Sequence, residues 1–124
     1  MPQIEEPLEF GESFSTAHAT RMLDFYCKTL TSLGYTAKAY PEVEERLGGR
    51  KFETPKFETL CHAMWMCDKT RDFLRSGRFA KAYRWIGMIQ GILFMNGVFS
   101  IAELKEHNRF EIPDAVPYRG RDRR

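Results

Sequence analysis

A run of basic residues, "KTRDFLRSGRFAKAYR" at positions 69–84, carries side chains well suited to binding an anion. The pattern places this run across the end of one helix and the start of the next. Bases in the last turn of a helix oppose the negative end of its dipole and are favourable there. Arg78 and Lys81 fall instead in the first turn of the following helix, where cations are disfavoured. A docked anion would offset this cost, because free N–H groups and both cations would converge on it.

The candidate anion- or partner-binding residues are basic or aromatic: Arg75, Arg78, Lys81, Arg84 and Trp85. A phosphorylated nucleotide would suit them, with Trp85 or Tyr83 stacking on its base. The alternative interpretation is a solvated turn whose basic residues aid solubility. The arginines at the C-terminal end form a second candidate surface, for nucleic acid; the alternative there is a disordered charged end.

Histidines and cysteines are present, but their spacing supports neither catalysis nor metal binding. Cys61 and Cys67 would lie about 240° apart on a helix, so they cannot share one metal ion without other ligands. His18 and His107 are isolated, and zinc-type C-x-x-C, P-loop, dinucleotide-binding and nucleophile-elbow motifs are absent from the sequence. We therefore predict a protein that is not an enzyme and needs neither a metal nor a cofactor.

Two glycines interrupt the longest apolar stretch, "KAYRWIGMIQGILFMNG" at positions 81–97. The stretch is too short and too polar to cross a bilayer, which needs about 20 apolar residues. Gly87 and Gly91 lie on one face of a helix, and each costs about 1 kcal/mol relative to alanine. We predict close helix packing at Gly87 and Gly91, with Gln90 hydrogen-bonded in the interior. A platform for a flat ligand is the alternative.

Four helices are predicted, and the two longest form the centre of the fold. A second helix from Pro55, capped by Thr54, to about Arg75 and a third over about 78–95 are joined by a very tight link. They must therefore form an antiparallel αα-hairpin. Because the third helix is apolar on most sides, we expect its own domain or a partner to cover all its faces.

The other two helices are predicted from their caps. The first begins after Ser15 or Thr16 and runs to Leu33, with Gly34 as the glycine that ends it. The fourth begins at a capping box formed by Ser100 and Glu103 and reaches position 106 or 107. The fold class is thus all-α, a small helical bundle.

The remaining segments are less regular. Residues 40–53 suggest either a short helix over 41–47, started by Pro41, or a β-hairpin turning at Gly48-Gly49. An extended arm over 1–12 and a basic extended tail over 110–124 complete a single domain of 124 residues.

Composition favours a soluble cytosolic protein. Three cysteines without a framework spacing indicate reduced thiols, and the acidic N-terminal end lacks a signal peptide. Aromatic residues make up 14% of the chain, so part of this apolar surface is expected to lie between subunits of a homo-oligomer. Residues 1–62 carry ten acids and seven bases, whereas residues 63–124 carry seven acids and twelve bases, an asymmetry that could steer association.

Residues 81–109, "KAYRWIGMIQGILFMNGVFSIAELKEHNR", resemble a segment of small uncharacterised proteins encoded by tailed bacteriophages. Their pattern is K-A-x-R-W-x-G-x-x-Q-G-x-L, followed by a capped helix ending in H-N. "HAMWM" at positions 62–66 is similar to their leading helix, so the resemblance covers about residues 60–110. Met88 stands where those proteins more often have an aromatic residue.

The resemblance implies a function by analogy with phage accessory proteins, which commonly act by binding. It implies a non-catalytic protein in the cytoplasm of the infected bacterial host that binds and blocks a host component, for example one used in defence. The alternatives are a sponge that sequesters a phosphorylated nucleotide signal, a nucleic-acid-binding regulator, or a virion component.

Overall fold

The fold is an all-α bundle of four helices, described by a computed structural model for residues 15–45 and 55–109. The helices are α1 (Thr16–Ser32), α2 (Lys56–Arg75), α3 (Phe79–Met95) and α4 (Ile101–Arg109), and a 3₁₀ helix (Pro41–Glu44) lies between α1 and α2. None of these helices combines the length with the hydropathy that a membrane crossing would require.

Local signals set both ends of α1, as predicted. Ser15 is extended, and its hydroxyl accepts a hydrogen bond of 3.1 Å from the backbone N–H of His18. Gly34 follows the last turn at a φ of 100°, a conformation that side chains other than glycine disfavour.

The α2–α3 hairpin is confirmed, with its start corrected by one residue. Pro55 precedes the first helical residue, Lys56, and makes no side-chain cap. Thr54, predicted to be that cap, lies outside the described residues. Gly77 makes the turn at a φ of 81°, and Arg78 is the residue immediately before α3.

The central helix is α2, not α3. Ten of its residues are buried, and it packs against both α1 and α3. In α3 the buried residues lie along one side, while the side chains of Met88 and Met95 are 60% and 77% exposed. The described part of the domain therefore covers α3 on one side, and the expected cover of its other faces by a partner stays a prediction. Hydropathy alone does not say which side of an apolar helix meets a neighbour.

The capping box at the start of α4 is present in both directions. Glu103 N–H donates to the Ser100 hydroxyl at 3.1 Å, and Ser100 N–H donates to the Glu103 carboxylate at 2.8 Å. The helix continues to Arg109, about one turn beyond Glu106, the earlier of its two predicted ends.

Between α1 and α2, a single 3₁₀ turn starts at Pro41, where the sequence predicted a longer helix. The alternative hairpin turn at Gly48-Gly49 lies outside the described residues. The predicted arm at 1–12 and tail at 110–124 also lie outside them.

Candidate functional site

The cations at the start of α3 lie over aromatic rings. The Lys81 ammonium is 4.8 Å from the centre of the Phe73 ring, and the Arg78 guanidinium is 5.2 Å from it. Lys81 is also 6.0 Å from the centre of the Trp85 ring. Such contacts contribute about 0.5–1 kcal/mol each at exposed sites. The Phe73 ring thus attracts both cations and offsets part of the cost of placing them at the start of α3.

The other members of the predicted basic set are divided between two surfaces. Arg75 is exposed and pairs with Asp72 one turn earlier. Trp85 is half-buried, with its ring edge-on to Phe73 at 5.1 Å and tilted against Trp65 at 6.3 Å. Arg84 is exposed one turn after Lys81. The structure thus brings Arg78, Lys81 and Trp85 together around Phe73.

Both glycines lie on the side of α3 that is turned away from Trp85. Gly87 and Gly91 are exposed, and a Cβ built on either would meet no heavy atom within 4 Å. Close helix packing at Gly87 and Gly91 within the described bundle was therefore a wrong prediction. Their shared face is exposed and forms the floor of a groove of about 630 Å³.

One side of the groove is formed by apolar residues of α3, and the other by the 3₁₀ helix and α2. Met88, Ile92 and Met95 line it beside the glycines, and Val43 and Thr59 face them from the 3₁₀ helix and α2. From Gly87 to Met95 the floor extends over about 12 Å, or roughly two helical turns. The shape of the groove therefore suits an elongated apolar ligand or peptide segment.

His62 holds the 3₁₀ wall in place. Its ring is almost fully buried, and its Nδ1 accepts a hydrogen bond of 2.8 Å from the backbone N–H of Tyr40. Because Nδ1 accepts, Nε2 carries the proton and donates to the Glu44 carboxylate at 2.6 Å. The His62 ring also stacks against Trp65 at 5.0 Å. Both ring nitrogens are thus hydrogen-bonded, so His62 has a structural role.

This role of His62 was not predicted from the sequence. Its partners are 18 and 22 residues away along the chain. The available signal was the "PEVEE" stretch at positions 41–45, which has three glutamates and no base and so needs a donor to secure it. In the described residues, no group of three or more histidine, cysteine or acidic side chains could hold a metal ion.

Gln90 is buried and hydrogen-bonded in the interior, as predicted. Its amide nitrogen donates to the Tyr26 hydroxyl at 3.0 Å and to the Asn108 side-chain oxygen at 2.9 Å. Tyr26 in turn lies 2.8 Å from Nδ1 of His107, and Nε2 of His18 donates to the His107 carbonyl at 2.6 Å. The polar residues of the phage-like motif, Gln90 and the His107-Asn108 pair, therefore fasten α4 to α1 and α3.

Burial determines the protonation states in this network. Desolvation lowers the pKa of His107 to about 4, and nearby His18 lowers it further while Glu103 opposes the shift. Desolvation also raises the pKa of Tyr26 far above neutrality, so its hydroxyl keeps a proton to donate. Tyr26 then donates to Nδ1 of a neutral His107, and this network stabilises the fold.

The chain matches no protein-family model, no curated protein and no solved structure. The phage resemblance therefore rests on its motif alone. Within the described residues, that motif divides into a buried polar part, which builds the bundle, and the glycine face, which the bundle leaves open.

Proposed function

We propose that this protein is a non-catalytic binding protein whose groove along α3 accommodates an amphipathic helix of a partner protein. The observation that carries the proposal is the open glycine face. Two glycines in a helix interior cost about 1 kcal/mol each, and no contact within the described bundle offsets that cost. A partner backbone that approaches Gly87 and Gly91 closely would offset it.

The groove wall supports an apolar, helical occupant. Met88 and Met95 are exposed and flank the glycines, and methionine surfaces adapt to varied apolar partners. A floor of roughly two helical turns fits the i, i+3, i+4, i+7 anchors with which an amphipathic helix enters a groove. An extended strand would instead need an open sheet edge, and the described residues form none.

The charged side chains around the groove indicate which charges the polar face of the bound helix should carry. Glu42, Glu44 and Glu45 are exposed beside Val43, on the wall opposite α3. Arg84 is exposed at the N-terminal end of the glycine face, one turn before Gly87. The partner helix should therefore present basic residues toward the 3₁₀ wall, where complementary charges favour the encounter.

The phage resemblance makes a bacterial host protein the proposed partner, and blocking a defence component is a role consistent with it. The nucleotide sponge and nucleic-acid regulator are less favoured. Arg78 and Lys81 already lie over Phe73, and Trp85 lies about 200° around α3 from Gly87.

A photo-crosslinking experiment in host lysate tests the proposal. One variant carries p-benzoylphenylalanine in place of Met88, and a control carries it in place of the exposed Lys105 on α4. We expect position 88 alone to crosslink to one host protein, at the apolar face of a helix. A synthetic peptide of that helix should bind the pure protein, and Gly91→Leu should weaken binding at least tenfold.

Ala102→Leu is the matched control, since it adds the same kind of bulk to an exposed position of α4. It should bind the peptide like the unmodified protein. Crosslinks from position 88 to a second copy of the chain would make the groove a self-interface, as in the predicted homo-oligomer, and would overturn the host-helix proposal. Crosslinks to nucleic acid, or to an extended segment, would also overturn it.

A further inference from the structure

The 3₁₀ wall of the groove, residues 38–44, is attached to α2 through the ring of His62. Nδ1 of that ring accepts a hydrogen bond of 2.8 Å from the backbone N–H of Tyr40, and Nε2 donates to the Glu44 carboxylate at 2.6 Å. The His62 side chain is only 1% exposed, so the wall shields the ring from water. Both attachments require a neutral ring that carries its proton on Nε2.

The attachment at Tyr40 determines where Val43 lies. Val43 lines the groove opposite α3, and its N–H donates to the Tyr40 carbonyl at 2.9 Å. At the start of the wall, Lys38 N–H donates to the Cys61 carbonyl at 3.2 Å, a bond that does not involve the histidine. If Tyr40 is released, Val43 can therefore move away from the groove while the segment stays attached at Lys38.

A proton on Nδ1 is incompatible with this attachment. It would place an N–H opposite the Tyr40 N–H at a nitrogen–nitrogen distance of 2.8 Å, so that an attraction becomes a repulsion. The Glu44 carboxylate favours a charged ring through Nε2, but the Glu44 side chain is 46% exposed and water screens its charge. A charged ring behind the wall would also lose its hydration. Protonation therefore favours a released wall, in which the ring reaches water.

Apart from Glu44, the charged side chains that adjoin Tyr40, His62 and Trp65 are lysines and glutamates. They are Lys38, Glu42 and Glu45 on the wall, Glu58 and Lys69 on α2, and Lys81 on α3. Lys69 lies 5.7 Å from the centre of the Trp65 ring, which stacks on His62. Histidine is the side chain among these types that ordinarily changes charge between about pH 5 and 8. A change of the wall in this pH range is therefore assigned to His62.

We propose that His62 is a proton-sensitive latch on the groove: the 3₁₀ wall is closed while the ring is neutral, and a proton on Nδ1 releases it. This regulation rests on the proposed function, since the partner helix binds against Val43 only while the wall is closed. A histidine in water is half-protonated near about pH 6.5. Because the released wall is the state that takes up the proton, its population relative to the closed wall rises about tenfold between about pH 7.5 and 5.5.

Amide hydrogen exchange, measured by NMR on the ¹⁵N-labelled full-length protein, tests the latch without a partner. The protection factor compares each exchange rate with that of an unfolded chain at the same pH. For Tyr40 N–H it should fall about tenfold between about pH 7.5 and 5.5, in step with the protonation of Nδ1 that the ring ¹⁵N shifts of His62 report. The amide of the buried Leu93 should stay better protected than that of Tyr40 at both pH values, which identifies the change as local. A Tyr40 protection factor that stays constant while Nδ1 takes up its proton would overturn the proposal.

Three variants identify the group that titrates. His62→Asn keeps an acceptor near the position of Nδ1 that cannot be protonated, so its Tyr40 protection factor should be the same at both pH values. Glu44→Gln keeps an acceptor for Nε2, and His107→Gln removes another buried histidine; both should retain the transition. A transition that persists in His62→Asn, or one that disappears in Glu44→Gln or in His107→Gln, would assign it to another group and contradict the latch.

The peptide of the host helix that crosslinks at position 88 tests the link to the groove. Bound peptide should raise the Tyr40 protection factor at about pH 5.5, because it binds the closed wall and the two equilibria are coupled. A peptide that binds without changing Tyr40 exchange would refute the regulation and leave the groove as the binding site. If position 88 captures no helix, the proposed function fails, and the Tyr40 measurement on the protein alone still decides whether His62 is a latch.

Discussion

Removing the Tyr26 hydroxyl should destabilise the bundle, because that single atom joins α1 to α3 and α4. The Tyr26 side chain is fully buried. Its hydroxyl accepts from Gln90 at 3.0 Å and lies 2.8 Å from His107 Nδ1, to which it donates. Tyr26→Phe keeps the ring in place and deletes only the oxygen.

The expected cost follows from what the substitution leaves behind. One N–H of Gln90 and the lone pair of His107 Nδ1 lose their partner, while the other N–H of Gln90 still reaches Asn108. Each buried group that is left without a partner costs about 1–3 kcal/mol. We therefore expect the free energy of unfolding to fall by about 2–4 kcal/mol, and Tm by about 10 °C.

Urea unfolding at pH 7.5, followed by circular dichroism at 222 nm, measures this change. Tyr35→Phe is the matched control, because Tyr35 is only half-buried, against Phe57, and its hydroxyl takes no part in the network. It should cost less than about 0.5 kcal/mol, as expected for a surface substitution. If Tyr26→Phe were no more destabilising than Tyr35→Phe, the network would not hold the helices together and the reasoning would be refuted.

Three further predictions concern the same bundle. The free energy of unfolding should decrease by a few kcal/mol as the pH falls from about 6.5 to about 4, because His107 binds a proton at a higher pH in the unfolded state than in the folded one. In urea titrations at several pH values, His107→Gln should flatten this decrease. Gly91→Ala should raise the free energy of unfolding by up to about 1 kcal/mol, since its Cβ enters open space; a loss on thermal unfolding would mean that the position is packed. Ser100→Ala removes the hydroxyl that caps α4 and should cost about 1 kcal/mol, and Ser100→Asp should restore most of it in the same measurement.

Helix positions were largely predictable because their signals are local. Ser15, Gly77 and the Ser100–Glu103 capping box act through atoms within about four residues, and the structure contains each of them as a boundary. The predicted start of α2 at Pro55 was one residue too early, because proline suits the position before a helix as well as its first turn. The 3₁₀ helix was harder to predict, because its position depends on a hydrogen bond with His62, which is distant in sequence.

The prediction that Gln90 is hydrogen-bonded was confirmed because a buried amide requires a partner, whereas the surroundings of the glycines and the cations depend on packing. Gln90 had to find a buried partner, and it has two. For Gly87 and Gly91, glycine spacing allows either a close neighbour or an open face, and only the arrangement of α2 and α3 distinguishes them. The position of Arg78 and Lys81 over the Phe73 ring was not predicted, because that ring belongs to the preceding helix.

The sequence by itself determined that residues 15–45 and 55–109 contain four α-helices, where most of them begin and end, and that a tight turn pairs two of them. These properties follow from hydrogen bonds and conformational preferences over a few residues. Tertiary structure decided which helix is central, which face of α3 stays open, and which histidine holds the 3₁₀ wall. Those outcomes depend on pairs such as Tyr26 with His107, 81 residues apart, and packing chooses between helix faces that the sequence leaves equally available.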